Sequence, residues 1–583
     1  MNVFRTKNID KIVSDASIAE NDGHSHGLKR VLTVKDLTFF GIAAIIGAGS
    51  FSSLGGAVFS GGPGVVILFI MCGIACGFTA FCYSEFASRI PVAGSAYTYA
   101  YASFGEMFAW IIGWALIMEY SVGNIYVAFS WSDYFTSFLE KINVHISNFL
   151  TCSYMEAKGA ISKFSGLASE AEKMEFMAKK ANAELINAWN NAPQVGGLRI
   201  ILDLPALVIN ILITYLVYRG VKESRNFSNA MVVLKLLVIG IVLIVGGYLV
   251  LANNLTFNWF PENNIGEKSF MPNGFSGVLA AVSGVFFAYI GFDAVSVLAE
   301  ESKNPQRDLP RGMIYSLVIC TIVYILLTLV LTGTVHYSKF ENVGDPLAFI
   351  FEKENLNIGW MQFLVAICAV IAMTSVLLVF QMGQPRIWMS ISRDGLLPPV
   401  FQKIHPVYKT PSFSTILTGF VVGLPLLFTD KTFVLDFTSI GTLFAFVLVC
   451  GGVLFLPRRQ KQAGSFHLPY FNAKYLYLII VGGAFILLNI FSRNYFSSLF
   501  HFSGEQVNTT LNVSTLIFWL VCIGLAVGAF IKNWSLIPLL GLTSCLYLLT
   551  GMTSTNWAWF SLWLILGLII YFSYSYKNSK LMK

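Results

Sequence analysis

The apolar residues of this chain fall in long runs rather than in the three-and-four spacing of a helix with one wet face. A helix needs about 20 apolar residues to cross about 30 Å of hydrocarbon. By that measure fourteen stretches qualify, at about 37–57, 64–88, 103–133, 200–218, 228–252, 275–299, 312–334, 359–382, 413–429, 432–456, 475–492, 514–531, 533–550 and 556–575. They predict an all-α integral membrane protein. The links between them are mostly short, but one, at about 134–199, is long.

Charge tests that count. With the N-terminus inside and strict alternation, inside segments hold 25 Lys and Arg, outside loops hold 12, and one lies within a span. Seven of the outside twelve lie in the long loop, so the rest divide 25 to 5. Lys and Arg resist translocation, and short loops weigh most in setting orientation. The division favours fourteen spans in a cell membrane with both termini cytoplasmic.

Composition agrees. Charged residues make up 12% of the 583 and apolar residues 56%, against about 25% charged in a soluble domain. So few charges cannot cover a water-facing surface, so most of this surface faces lipid. The net charge of +7 is met by cytoplasmic loops and asks for no nucleic acid. Residues 1–36 carry no apolar run, so span 1 is expected to act as its own insertion signal. Eight of the nine cysteines sit in apolar runs, Cys152 excepted, and none has metal-ligand spacing with histidine. No cofactor is implied. His-Glu-x-x-His, a phosphate loop and a well-placed Ser/Lys dyad are all missing, which argues against an enzyme.

The long loop has Met174, Met177, Ala178, Ala181 and Leu185 at helical spacing, predicting one or two amphipathic helices on the outer surface. Near 493–513, Asn508 and Asn512 each begin a glycosylation-type triplet.

Three features carry chemistry. Span 1 contains Gly47-Ala48-Gly49 at membrane depth. Glycines there loosen the helix, and freed backbone is tolerated in a membrane only where it lines a cavity or is buried in protein. A half-helix restarting after the break aims its N–H groups into that cavity and suits a carboxylate. Close packing of small residues is the alternative reading. Span 6 repeats the feature five spans later, at Tyr289-Ile290-Gly291-Phe292-Asp293. Paired interruptions at matching places point to inverted repeats, spans 1–5 and 6–10, with a substrate between them. Carbonyls freed in span 6 suit an ammonium group, and the two ends together fit an α-amino acid.

The third feature is charge inside spans, which is costly and so a functional candidate. Lys235 lies in span 5, where it either carries a coupling proton or snorkels to the nearby membrane surface. Glu119 in span 3 is a second candidate, or a partner for polar backbone. Glu85 and Glu300, near helix ends, read as gate or structural charges.

Span 1 resembles the GIGAIIGxGIF motif of the amino acid–polyamine–organocation superfamily. Gly291-Phe292-Asp293 with Glu300 to Pro310, Pro91 to Tyr99, and Gly383-Gln384-Pro385-Arg386 with Arg393 to Pro398 are similar to its cationic amino acid transporter branch. The resemblance covers about 34–457 and returns at 533–575. It implies a 5+5 inverted-repeat core with broken helices 1 and 6, at 37–457, carrying the insertion 134–199. Four additional spans follow at 458–576, between cytoplasmic tails at 1–36 and 577–583. It further implies that the substrate carboxylate meets the amides of Ala48 and Gly49 beside Gly47. The amine would meet carbonyls of Ile45, Phe287, Ala288 and Ile290. Lys235 would stand where sodium-coupled relatives hold an ion, and Asp293 and Tyr120 would lie at the site and its gate.

There are departures. Ala43 replaces a usual glycine, and Ser50 and Ser52 stand where Ile and Val are usual, which bears on the coupling ion. The insertion is not in the usual bacterial pattern, and the pair of spans at 475–531 resembles the fourteen-span eukaryotic branch more than the twelve-span bacterial one. In span 8, Met373 facing the site would favour small neutral amino acids, whereas Thr374 or Ser375 facing it would ease a cationic one. The expected function is proton-coupled uptake of neutral or broad-range L-amino acids. Its partners are then the amino acid, protons and the bilayer. A cationic amino acid transporter or exchanger is the main alternative, and an amino acid-sensing receptor that does not transport is another.

Overall fold

The computed structural model describes residues 5–7, 32–90, 95–220, 225–262, 266–408, 410–456, 466–491, 496, 499–500 and 509–582. Among them, nine helical stretches are long and apolar enough to cross a membrane, and Leu204–Arg219, Ser412–Leu427 and Leu536–Leu549 are shorter apolar helices. Lipid offers no hydrogen bonds, so an apolar chain crossing it satisfies its backbone by coiling into helices.

The helices used below are α1 (Val34–Ile45), α2 (Leu54–Gly61), α3 (Val65–Arg89) and α4 (Glu106–Lys141), then α5 (Tyr154–Gly166), α6 (Glu170–Ala178) and α7 (Lys180–Asn191). Next come α8 (Leu204–Arg219), α9 (Arg225–Ala252), α10 (Gly274–Ala280), α11 (Val282–Phe287), α12 (Pro305–Thr334), α13 (Gly359–Arg393), α14 (Ser412–Gly423) and α15 (Lys431–Phe455). The chain ends with α16 (Ala473–Phe491), α17 (Thr509–Lys532), α18 (Leu536–Leu549) and α19 (Ser554–Ile570).

At the centre, α4 packs on α13 and α15, while α12 packs on α1 and α3. The last helix is tied to this centre by tryptophans. Trp114 of α4 stacks on Trp563 of α19 with centroids 4.6 Å apart. Each indole N–H donates to the other residue's carbonyl, at 2.8 and 3.1 Å. Helices α16 and α17 pack mainly on each other and present Ile479, Ile490, Leu520 and Ile531 outward.

The structure corrects two expectations of length. Span 6 is not one helix with a single break. It consists of α10, α11 and a 3-10 stretch, Asp293–Glu301, with an extra interruption at Ala281. The insertion holds three helices, not one or two, followed by a hairpin pairing Gln194–Val195 with Leu198–Arg199. The expected stripe from Met174 to Leu185 is cut at Lys179, whose extended backbone ends α6. Met174 is left 74% exposed rather than packed. Ser153 and Ser169 open α5 and α6 with reciprocal caps to Glu156 and Glu172, which set these boundaries locally. Asn508, Pro91–Gly94, most of 1–36 and the Glu300 side chain lie outside the described residues, and Asn512 lies inside α17.

The insertion is fastened to the segment 337–352. Lys179 pairs with Glu341, Asn342 donates to Asn182 at 2.8 Å, and Lys180 reaches Glu140 at 3.1 Å and Glu352 at 3.9 Å. Half-buried Asp345 lies within this group. Loss of water around it, then the charge of Glu352, push its carboxyl up to about 8, with Asp133 adding to the rise and Lys180 opposing it. An unfolded aspartate titrates near 4. The protonated form therefore contributes stability that is complete below pH ~4 and is lost as pH rises through about 8. Amide exchange across 337–352, corrected for intrinsic rate, is expected to speed up between pH 6 and pH 9. Asp345→Asn should flatten that dependence. Equal protection at both pH values in the unmodified protein would remove the argument.

Candidate functional site

Helix α1 ends at Ile45, and Ile46 turns to an extended conformation with ψ 94°. The chain restarts through a widened π-type turn, Gly49–Ser53, that leads into α2. The break thus centres on Ile46-Gly47, and Ala48 and Gly49 begin the second half. The serines beside it bond to its own backbone and tie it to neighbouring segments. Ser50 Oγ donates to Gly47 O at 3.1 Å, Ser52 Oγ to Gly344 O at 2.9 Å, and Ser53 Oγ to Gly284 O at 2.8 Å.

The second break follows α11. Ala288 to Gly291 form turns, and Gly291 has φ +113°, a region that side-chain-bearing residues rarely enter. The two breaks touch. A Cβ on Gly49 would stand 2.5 Å from Ala288 Cα, and one on Gly291 would stand 3.0 Å from the carbonyl carbon and oxygen of Ala44. Only glycine lets the two backbones come this close.

Lys235 of α9 is 1% exposed. It does not snorkel. Its ammonium donates to Ala43 O and Ile46 O, both at 3.2 Å, and to Ser375 Oγ at 2.9 Å. An ammonium has three donors, and these contacts tie it to the first break and to α13.

Between the breaks, α4 and α13 lies a small cavity of about 10 Å³, about the room one water needs. Glu119 and Tyr120 of α4 line it, with Ala44, Ile290, Gly291, Asp293 and Ala294. Helix α13 contributes Val376, Val379 and Phe380. Met373 is fully buried but lies away from this lining, whereas Ser375 reaches the first break through Lys235. Thr374 instead accepts from Trp131 at 2.9 Å.

Tyr324 of α12 is a residue that the sequence reading did not single out. Its hydroxyl lies 3.0 Å from Ile45 O and 2.8 Å from Ala288 O, bridging the breaks. Phe287 O accepts from Ile290 N at 3.1 Å. Of the four carbonyls expected to meet an amine, Ile45 O and Ala288 O share the one Tyr324 proton and Phe287 O has its own donor. Each keeps a second lone pair. The available signal was a polar atom inside an apolar run, Ile322-Val323-Tyr324-Ile325-Leu326. Tyr324→Phe removes the one O–H proton that Ile45 O and Ala288 O share, at about 1–3 kcal/mol. A fall in melting temperature with at least a several-fold loss of uptake is expected. Unchanged uptake and stability would show that the bridge is dispensable.

The other charges near helix ends make ties. Glu85 pairs with Arg89 at 2.7 Å and accepts from Leu468 N at 2.7 Å. Asp394 accepts from Tyr97 at 2.8 Å and pairs with Lys7 at 3.4 Å.

The structure thus brings together two touching breaks, a buried lysine on one and two carboxylates in a cavity beside the other. The family model described as amino acid permease matches residues 32–493. The chain belongs to the amino acid permease family. This permease is 34% identical to the branched-chain amino acid permease BcaP of Bacillus subtilis, over 99% of both chains. It is 32% identical to the methylthioribose transporter of the same organism, over 100% of this chain and 99% of that one. To the vacuolar cationic amino acid transporter 2 of Arabidopsis thaliana it is 28% identical, over 97% and 92%. Its relatives are permeases and transporters, and it is a multi-pass membrane protein. The two bacterial relatives match along essentially the whole permease. The insertion and the extra C-terminal helices therefore do not set it apart from bacteria, contrary to the expectation from sequence.

Proposed function

We propose that the permease accumulates L-amino acids across the cell membrane by proton symport, through alternating access of a 5+5 inverted-repeat core within fourteen spans, both termini cytoplasmic. The observation that carries this is Lys235. Its proton-bearing nitrogen is hydrogen-bonded to the backbone of the break that receives the substrate. Lys235 holds Ala43 O and Ile46 O, which flank the Ile45 carbonyl assigned to the amine, so loading the substrate and holding a proton then bear on the same break, which is what coupling requires. Ala48 and Gly49 bind the carboxylate, and carbonyls of Ile45, Phe287, Ala288 and Ile290 take over the amine as Tyr324 yields. Glu119, Tyr120 and Asp293 receive the side chain or gate it. Neutral or broad-range substrates are the first reading, in keeping with a relative named for branched-chain amino acids.

A second reading, cationic substrates, is favoured by two carboxylates in one cavity and by Ser375, rather than Met373, turning toward the break. The test is uptake into liposomes of purified protein under an inward proton gradient, with labelled alanine, leucine and arginine and a competition panel of all amino acids. Accumulation of leucine or alanine that collapses with the gradient is expected. Arginine outcompeting both selects the second reading. No gradient-dependent uptake of any amino acid, with binding but no counterflow, would make the protein a receptor instead.

A further inference from the structure

Away from the site, α8 and α14 pack side by side. Gly419 lies so close to Thr214 that a Cβ would stand 2.5 Å from its methyl, and Asn210 Nδ2 donates to Gly419 O at 3.0 Å. On the outward side of this seam the helices leave an open groove of about 590 Å³, within the range of ligand-binding clefts. Ile211, Tyr215, Ile416 and Phe420 line it, and each is more than half exposed. In a membrane protein that exposure is to lipid tails.

One end of the groove is charged. Arg219, the last residue of α8, is exposed, and its guanidinium lies over the rings of Tyr215 at 5.8 Å and Tyr408 at 5.1 Å. It also donates to Tyr408 Oη at 3.1 Å. Among the described residues no carboxylate pairs with it, although Arg89 and Arg307 both find one. The groove runs from Leu207 to Tyr218, about 16 Å at 1.5 Å per residue, close to half of a ~30 Å hydrocarbon layer. Its walls are short for a membrane: α8 has 16 residues, about 24 Å. A short helix draws the headgroup layer toward its ends and brings phosphates to the depth of Arg219.

We propose that this groove binds one anionic phospholipid, with an acyl chain along Ile211 and Phe420 and the phosphate held by Arg219 and the Tyr408 hydroxyl. An apolar trough one chain long, ending in a cation that no carboxylate among the described residues pairs with, matches that chemistry end for end. A zwitterionic lipid brings its own cation and meets Arg219 less well. The groove wall is also wired inward. Thr214 Oγ1 accepts from Gln381 Nε2 at 2.7 Å, and Asn124 donates to Gln381 Oε1. Gln381 adjoins Phe380, which lines the central cavity. The bound lipid thus touches a hydrogen-bonded chain that reaches the helices of the site.

The test is native mass spectrometry of the purified full chain, titrated with phosphatidylglycerol or with phosphatidylcholine of equal chain length. It does not depend on transport. One phosphatidylglycerol is expected to be retained, at concentrations about tenfold lower than phosphatidylcholine needs. Arg219→Gln should erase that preference, and Ile211→Trp, which fills the trough, should weaken retention of both lipids by about tenfold. Lys474→Gln, a rim cation elsewhere, should behave as the unmodified protein. Equal retention of the two lipids by the unmodified protein overturns the proposal. So does a preference that survives Arg219→Gln, or retention untouched by Ile211→Trp. Glycerol phosphate binding as tightly as the whole lipid would also overturn it, because the groove would then contribute nothing.

Discussion

Lys235→Ala is expected to reduce proton-driven accumulation to the level of simple equilibration while substrate binding persists. The geometry separates the two. Lys235 touches Ala43 O, Ile46 O and Ser375, not the cavity of Glu119 and Asp293. Alanine removes the proton carrier and leaves two buried carbonyls without their donor, each at about 1–3 kcal/mol. The first break should therefore loosen, and melting temperature should fall. Counterflow exchange of unlabelled for labelled substrate reports on the intact binding cycle and controls for that loosening. The expected pattern is exchange within a few-fold of wild type, with accumulation that no longer responds to external pH between about 5 and 8. Accumulation that tracks pH as in the unmodified protein would end the coupling role of Lys235. Loss of exchange and accumulation together would make it a structural clamp.

The largest structural effect is expected where the breaks touch. Gly49→Ala places a Cβ 2.5 Å from Ala288 Cα. The obstacle is backbone and cannot rotate away, so one half-helix must move by about an ångström. Overpacking of this kind costs about 1–3 kcal/mol. Gly291→Val faces a second penalty, because φ +113° is a conformation that a β-branched residue does not adopt without strain of about 1–3 kcal/mol. Both variants should lose at least about tenfold in uptake, equivalent to 1.4 kcal/mol, with Gly291→Val the worse. Gly56→Ala is the control, since nothing lies within 4 Å of a Cβ there. Wild-type uptake by Gly49→Ala would mean that the cycle does not need the two breaks in contact.

The sequence carried the all-helical membrane character, both breaks and the buried lysine, for a physical reason. Each is a departure from a uniform apolar background. Gly47, Gly291 and Lys235 stand out because lipid tolerates neither loose backbone nor charge. What stayed hidden is the rotation of helices about their own axes. When every face of a span is apolar, periodicity cannot say which residue points inward. Hence Val376, Val379 and Phe380, not Met373, line the cavity. Tyr324 was hidden likewise, since one tyrosine in an apolar run reads as packing until its hydroxyl is seen between Ile45 O and Ala288 O. The insertion failed for the opposite reason. Its Met and Ala spacing continues through Lys179, and only the local backbone shows that α6 and α7 are separate.

All nine cysteines are free and buried. Cys72, Cys76, Cys450 and Cys545 lie where α3, α15 and α18 meet, and Thr79 touches both Cys450 and Cys545, at 3.6 and 3.5 Å. A thiol sealed between helices reacts with an alkylating probe only when those helices part. The protein therefore carries its own set of dark reporters, and their reaction rates with and without substrate would time the opening of the bundle without any engineered label.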